Sequence, residues 1–162
     1  MELFSDRGST PLISTTNLNI LNAGDIVKEL MKTNIYEAEN TVIIVGSCLK
    51  NMQPEGFEKL KEFSDNIYGL CLEETHVNMA ITKIGGMLRT GKINKIIFAT
   101  VDKSLHCIQM HYIQDELRKM MSLNSIEIKN YVIVNNELEE ITPEVISLSK
   151  NLLKLKRENL DT

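Results

Sequence analysis

Cysteine is scarce in this chain: three residues, an odd number, and no Cys-x-x-Cys spacing among them. That excludes a disulfide scaffold and suits a reducing compartment, so the expected location is the cytoplasm. No apolar stretch approaches the roughly 18 residues that a membrane-spanning helix requires. The opening Met1-Glu2-Leu3-Phe4-Ser5-Asp6-Arg7-Gly8 has no basic region followed by an apolar one, and no secretory signal is expected. Basic charge is also short. The formal net charge is -4, which argues against general nucleic-acid binding, because counterion displacement needs a basic face. Internal repeats and low-complexity segments are absent from the sequence.

What is present is ordinary for a globular protein: 43% hydrophobic and 25% charged residues in a length of 162. At roughly 150 residues per domain, the length predicts one domain over 1–162. A domain of this size buries about two-thirds of its unfolded surface and folds without covalent staples. Residues 1–18 are rich in Ser, Thr and Asn and carry no sustained apolar period, so they read as an irregular N-terminal arm.

The rest alternates between two periods. Ile26, Val27, Leu30 and Met31 predict a helix starting near Gly24-Asp25. Thr41-Val42-Ile43-Ile44-Val45 is a β-branched run of the kind buried on both faces, and it ends at Gly46. Pro54 suits the first turn of a helix carrying Phe57, Leu60 and Phe63. Ile67 to Leu72 predicts a second strand, with Gly69 as a weak point. Thr75 predicts the cap of a helix to about Arg89, stopped by Gly91. Lys95 to Val101 is the third strand, Asp102-Lys103-Ser104 a turn, and Leu105 to Met121 a long helix. Ile126 to Val134 is the fourth strand. Asn135-Asn136 then forms a turn, with a short hairpin strand over Glu137 to Ile141 and a last helix from Thr142-Pro143-Glu144. Strands separated by helices predict a three-layer α/β sandwich around a mostly parallel sheet of about four strands, with the hairpin strand as an addition.

In that topology every Cys and His falls at or near one edge. Cys48 follows the first strand, Cys71 ends the second, and His76 opens the next helix. His106, Cys107 and His111 lie in the helix after the third strand. With parallel strands these junctions share the carboxyl edge, where open α/β sheets bind ligands. Cys107 and His111, four apart on a helix, bring their Cβ atoms within about 5–6 Å. With Ser104 as cap, Cys107 stands in the first turn, where the helix dipole favours thiolate. Structural Cys and incidental His are the competing interpretation, since free Cys is among the most buried residue types.

Two phosphate motifs fail. Gly86-Met87-Leu88-Arg89-Thr90-Gly91-Lys92 fits the first seven positions of a P-loop, but Ile93 stands where Ser or Thr should bind magnesium. The stretch also ends a helix rather than opening one, and helix C-termini repel phosphate. Gly46-Ser47 could hold an anion through backbone amides, with Ser104 across the edge, yet no Gly-x-Gly-x-x-Gly pattern accompanies them. No Cys has an Arg six positions later, which disfavours a Cys-x5-Arg phosphatase.

The sequence therefore predicts a transition-metal or iron–sulfur binding protein with a redox, sensing or delivery role. Its ligands would come from Cys48, Cys71, His76, His106, Cys107 and His111, and zinc, copper or iron suits this donor set. The alternatives are a small thiol enzyme, with Cys107 as nucleophile and His111 or His76 as base, and a non-catalytic ligand-binding or assembly domain. Expected partners are a metal ion or small ligand, with no membrane. Self-association is compatible with an open edge strand and Met-bearing helices.

Overall fold

The computed structural model describes residues 27–160, so the predicted N-terminal arm and the start of the first helix lie outside the described residues. From Val27 onward that helix is not found. Lys28–Glu29 is instead a two-residue strand, β1, followed by a 3-10 turn over Leu30–Lys32. Leu30, assigned to a helical stripe, is fully buried as an anchor of that turn, so spacing alone misread its local geometry.

The central elements form as the hydrophobic pattern demands. Strand β2 covers Asn40–Gly46, with a buried run from Val42 to Gly46. Two short helices follow, α1 (Leu49–Met52) and α2 (Pro54–Leu60), with Pro54 in the first turn of α2. Strand β3 (Ile67–Leu70) is wholly buried, and Gly69 is accommodated within it. Helix α3 spans Val77–Leu88. Its N-cap is His76 rather than Thr75, whose N–H instead closes a turn onto the Cys71 carbonyl. Gly91, with φ +73°, reverses the chain after α3 in the left-handed region that glycine tolerates best. Strand β4 (Ile93–Val101) follows, so the near-P-loop ends a helix and enters a strand.

Helix α4 (Leu105–Met120) starts at Ser104, whose Oγ accepts the Cys107 N–H at 3.3 Å. Strand β5 (Glu127–Val134) and strand β6 (Glu137–Glu140) form a hairpin across Asn135 and Asn136. Both turn residues have positive φ, 51° and 64°, which matches the twist of a two-residue hairpin loop. The single last helix expected from the sequence is two, α5 (Pro143–Ser149) and α6 (Leu152–Leu160).

The sheet has six strands in the order β1-β3-β2-β4-β5-β6. All neighbours are parallel except β5 and β6, which are antiparallel. One parallel strand beyond the expected four is the short edge piece β1. Alternate residues divide between two cores. Val42, Ile44, Phe98 and Tyr68 pack under α3 and α4, against Ile84, Met110 and Ile113. Ile43, Val45, Ile97 and Ala99 pack on the other face against Leu49, Phe57 and Leu60. Helices thus cover both faces of a mostly parallel sheet. Among the described residues no helix is long and apolar enough to cross a membrane.

Candidate functional site: a thiol pair at the strand-order reversal

The chain leaves β2 towards β3 on one side and leaves β4 towards β5 on the other. Between the carboxyl ends of two such strands the outgoing loops diverge and leave a crevice, the usual ligand position in open α/β sheets. Gly46-Ser47-Cys48 lies on one side of it and Asp102-Lys103-Ser104, leading into Cys107, on the other.

Cys48 and Cys107 meet in this crevice. A Cβ placed on Gly46 would stand 3.1 Å from Cys107 Sγ and 3.9 Å from Cys48 Sγ. The close approach therefore depends on glycine at the end of β2. The Ser47 N–H is engaged by the Leu70 carbonyl at 3.1 Å, which ties this turn to β3. Ser104 holds the other side through its cap bond to the Cys107 N–H. Cys107 is buried and packs into the α1–α2 core, whereas Cys48 is exposed as a residue. Its sulfur nevertheless feels burial, because it lies beside Gly46 and Cys107. Burial pushes the Cys48 thiol above the usual thiol range, and the adjacent Cys107 thiol, hydrogen-bonded to it, pushes it further. Cys71 adds a smaller push through its charge.

The other candidates separate. Cys71 is half-buried just after β3. His76 is exposed at the start of α3, and its side chain makes no capping bond. His106 is exposed too, with Nδ1 3.9 Å from Glu73 Oε2 across the neighbouring loop. His111 is buried on the α4 side of the sheet, between Asn130 of β5 and Thr100 of β4. The Asn130 Oδ1 can only accept, so His111 Nδ1 carries the hydrogen, at 2.9 Å. Burial lowers the His111 pKa and keeps the ring neutral. Its Nε2 therefore accepts from the Thr100 hydroxyl at 2.8 Å. With both nitrogens occupied, His111 has none to offer Cys107 as a base. Among the described residues no group of three or more His, Cys, Asp or Glu side chains is placed to hold a metal ion.

Sequence reasoning took Gly46 as a strand exit or an anion-holding turn and missed it as the spacer for two sulfurs. It also missed Thr100 and Asn130. Thr100 ends the apolar run Ile96–Ala99 of β4, and Asn130 shares a face of β5 with Ile128 and Val132; a polar residue on such an apolar face is the signal that a buried polar partner lies opposite.

A mostly parallel sheet with a reversal of strand order and helices on both faces defines a doubly wound α/β domain. Residues 36–161, from just before β2 through α6, match the Rossmann-like domain family, and the chain belongs to it. No curated protein and no solved structure matches it.

Proposed function

We propose that this Rossmann-like domain is a thiol-based redox sensor whose Cys48–Cys107 pair passes between dithiol and disulfide. The observation that carries this reading is the meeting of the two sulfurs across Gly46, at the reversal point of the sheet. A pair of cysteines, one just after β2 and one in the first turn of α4, couples their oxidation state to the width of the crevice between those two segments.

A hydroperoxide is a suitable oxidant. The accessible Cys48 thiolate attacks one peroxide oxygen, the O–O bond breaks, and a sulfenic acid forms as the other oxygen leaves, protonated, as water or alcohol. The Cys107 thiolate then attacks the Cys48 sulfur, the S–O bond breaks, and hydroxide leaves as water after taking up a proton. Two thiols and one hydroperoxide become one disulfide and two molecules of water, or water and alcohol. The raised Cys48 pKa makes the attacking thiolate scarce at neutral pH, so the pair responds slowly and to sustained oxidation. A reducing cytoplasm would hold the resting dithiol form.

A second reading is favoured by Cys71, whose charge reaches Cys48. Two thiolates, with Cys71 one strand further out, suit a soft, two-coordinate ion such as Cu(I) better than four-ligand zinc or an iron–sulfur cluster. Delivery or sensing of such an ion would use the same pair.

Thiol counting tests both. Protein prepared without oxygen is exposed to hydrogen peroxide, and the remaining thiols are alkylated and counted by mass. The wild type should lose two thiols together and regain both with dithiothreitol, while Cys48→Ser and Cys107→Ser form no internal disulfide. Retention of all thiols in the wild type would sink the redox reading. Stoichiometric Cu(I) binding that disappears in either variant would select the metal reading instead.

A further inference from the structure

A cavity of about 470 Å³ opens beside the thiol crevice, between α4, α5 and the β5–β6 hairpin. The size lies within the range of small-molecule sites. Thr100 and His111, each only 1% exposed, form its floor. Tyr112 and Ser149 stand in its wall. Much of the rim is apolar, and several large side chains there face water: Leu105 is 80%, Val145 50%, Ile108 39% and Val134 37% exposed. Side chains of this kind, gathered around one concavity, mark a surface that gains by being covered.

The hydrogen-bond bookkeeping inside the cavity is one-sided. His111 gives its Nδ1 hydrogen to Asn130, and Thr100 gives its hydroxyl hydrogen to His111 Nε2. Ser149 Oγ donates to the Ile146 carbonyl at 2.7 Å. The Tyr112 hydroxyl, 2.9 Å from Ser149 Oγ, must therefore be the donor in that pair. Every hydrogen on these four side chains is committed to protein, and what remains is oxygen lone pairs on Thr100, Tyr112 and Ser149. An anion pressed against them would meet acceptors only. At the mouth Lys103 stands with Asp102 and Glu139, charges of both signs, so no single-sign field selects an ion there.

We propose that this cavity binds an uncharged, mostly apolar small molecule that carries an N–H or O–H donor and enters donor first. Its apolar body would cover the rim residues while the donor meets the lone pairs inside. The site shares no cysteine with the thiol pair, so it stands independently of the redox reading.

Indole and benzofuran are matched probes: similar shape and apolar area, with the N–H of one replaced by an oxygen acceptor in the other. Titrations followed by amide NMR shifts of the full chain should show saturable binding of indole, with benzofuran at least ten-fold weaker, because a buried acceptor left unmatched is costly. Val145→Trp, at a half-exposed position that leaves room for the larger ring, should fill the mouth and weaken indole at least ten-fold. Cooperative melting of that variant confirms that the fold is intact. Absence of saturable indole binding, equal binding of the two probes, or indole binding undiminished in folded Val145→Trp would each overturn the proposal.

Discussion

A methyl group at Gly46 would stand 3.1 Å from the Cys107 sulfur and 3.9 Å from that of Cys48, close enough on the nearer side that the Cys107 sulfur must give by a few tenths of an ångström. Gly46→Ala should cost about 1–3 kcal/mol by overpacking and separate the two sulfurs. The check is urea unfolding together with the rate of disulfide formation, which should fall. The Cys48 titration gives a second expectation. Burial comes first among the causes that raise its pKa, and Cys107 comes next. The alkylation rate of Cys48 against pH should have its midpoint above the ordinary thiol range, and Cys107→Ser should move it down. An unchanged midpoint would remove Cys107 as a cause. His111 gives a third. Its folded pKa is depressed, so below the unfolded value of about 6.5 the unfolded chain takes up the extra proton. The contribution from the neutral ring is complete above that pH. It is lost as pH falls towards the folded pKa, at no more than about 1.4 kcal/mol per pH unit for one proton. Urea unfolding at several pH values between about 7.5 and 5 should show this slope in the wild type and a shallower one in His111→Gln.

Among the elements, α2 and the β5–β6 hairpin depend on one another through small contacts. The Gly56 N–H donates to Asn136 Oδ1 at 3.3 Å, and the Asn136 N–H donates to Gln53 Oε1 at 2.7 Å. A Cβ on Gly56 would come within 2.5 Å of Ile133 Cγ2 and 3.3 Å of the Asn136 backbone. Gly56→Ala should therefore destabilise more than Gly46→Ala, by about 3 kcal/mol, read from the shift in the urea midpoint. At α4, Ser104→Ala removes the cap bond to the Cys107 N–H and should cost about 1 kcal/mol. The same elements show what the sequence could and could not disclose. Ser104 was legible as a cap and Asn135-Asn136 as a turn, because each is a local rule of a few adjacent residues. The β1 strand was not. Lys28 and Glu29 are exposed and carry no alternation, and their pairing with Tyr68 and Gly69 is a contact across 40 positions of chain.

For the molecule as a whole, alternation of apolar strands and amphipathic helices was enough to predict a mostly parallel sheet covered on both faces. The order of the strands was beyond reach, because each crossover can place the next strand on either side. That order decides the site. With β2 and β4 adjacent, Cys48 and Cys107 become neighbours. Cys71 ends up one strand further out, after β3, and His111 turns under the sheet to Asn130. A shared edge was therefore readable from the sequence, but a shared cluster was not. The cavity between α4, α5 and the hairpin was equally hidden, since its lining comes from four separate stretches whose apolar residues resemble ordinary core positions.

The most direct measurement equilibrates the protein in glutathione buffers of graded potential, blocks the remaining thiols, and maps the linked peptides by mass spectrometry. A single species joining Cys48 to Cys107, with Cys71 blocked as a free thiol, is expected to rise with potential and to revert on reduction. Linkage through Cys71, or the persistence of free Cys48 and Cys107 in the most oxidising buffer, would contradict the thiol pair as the functional centre of this domain.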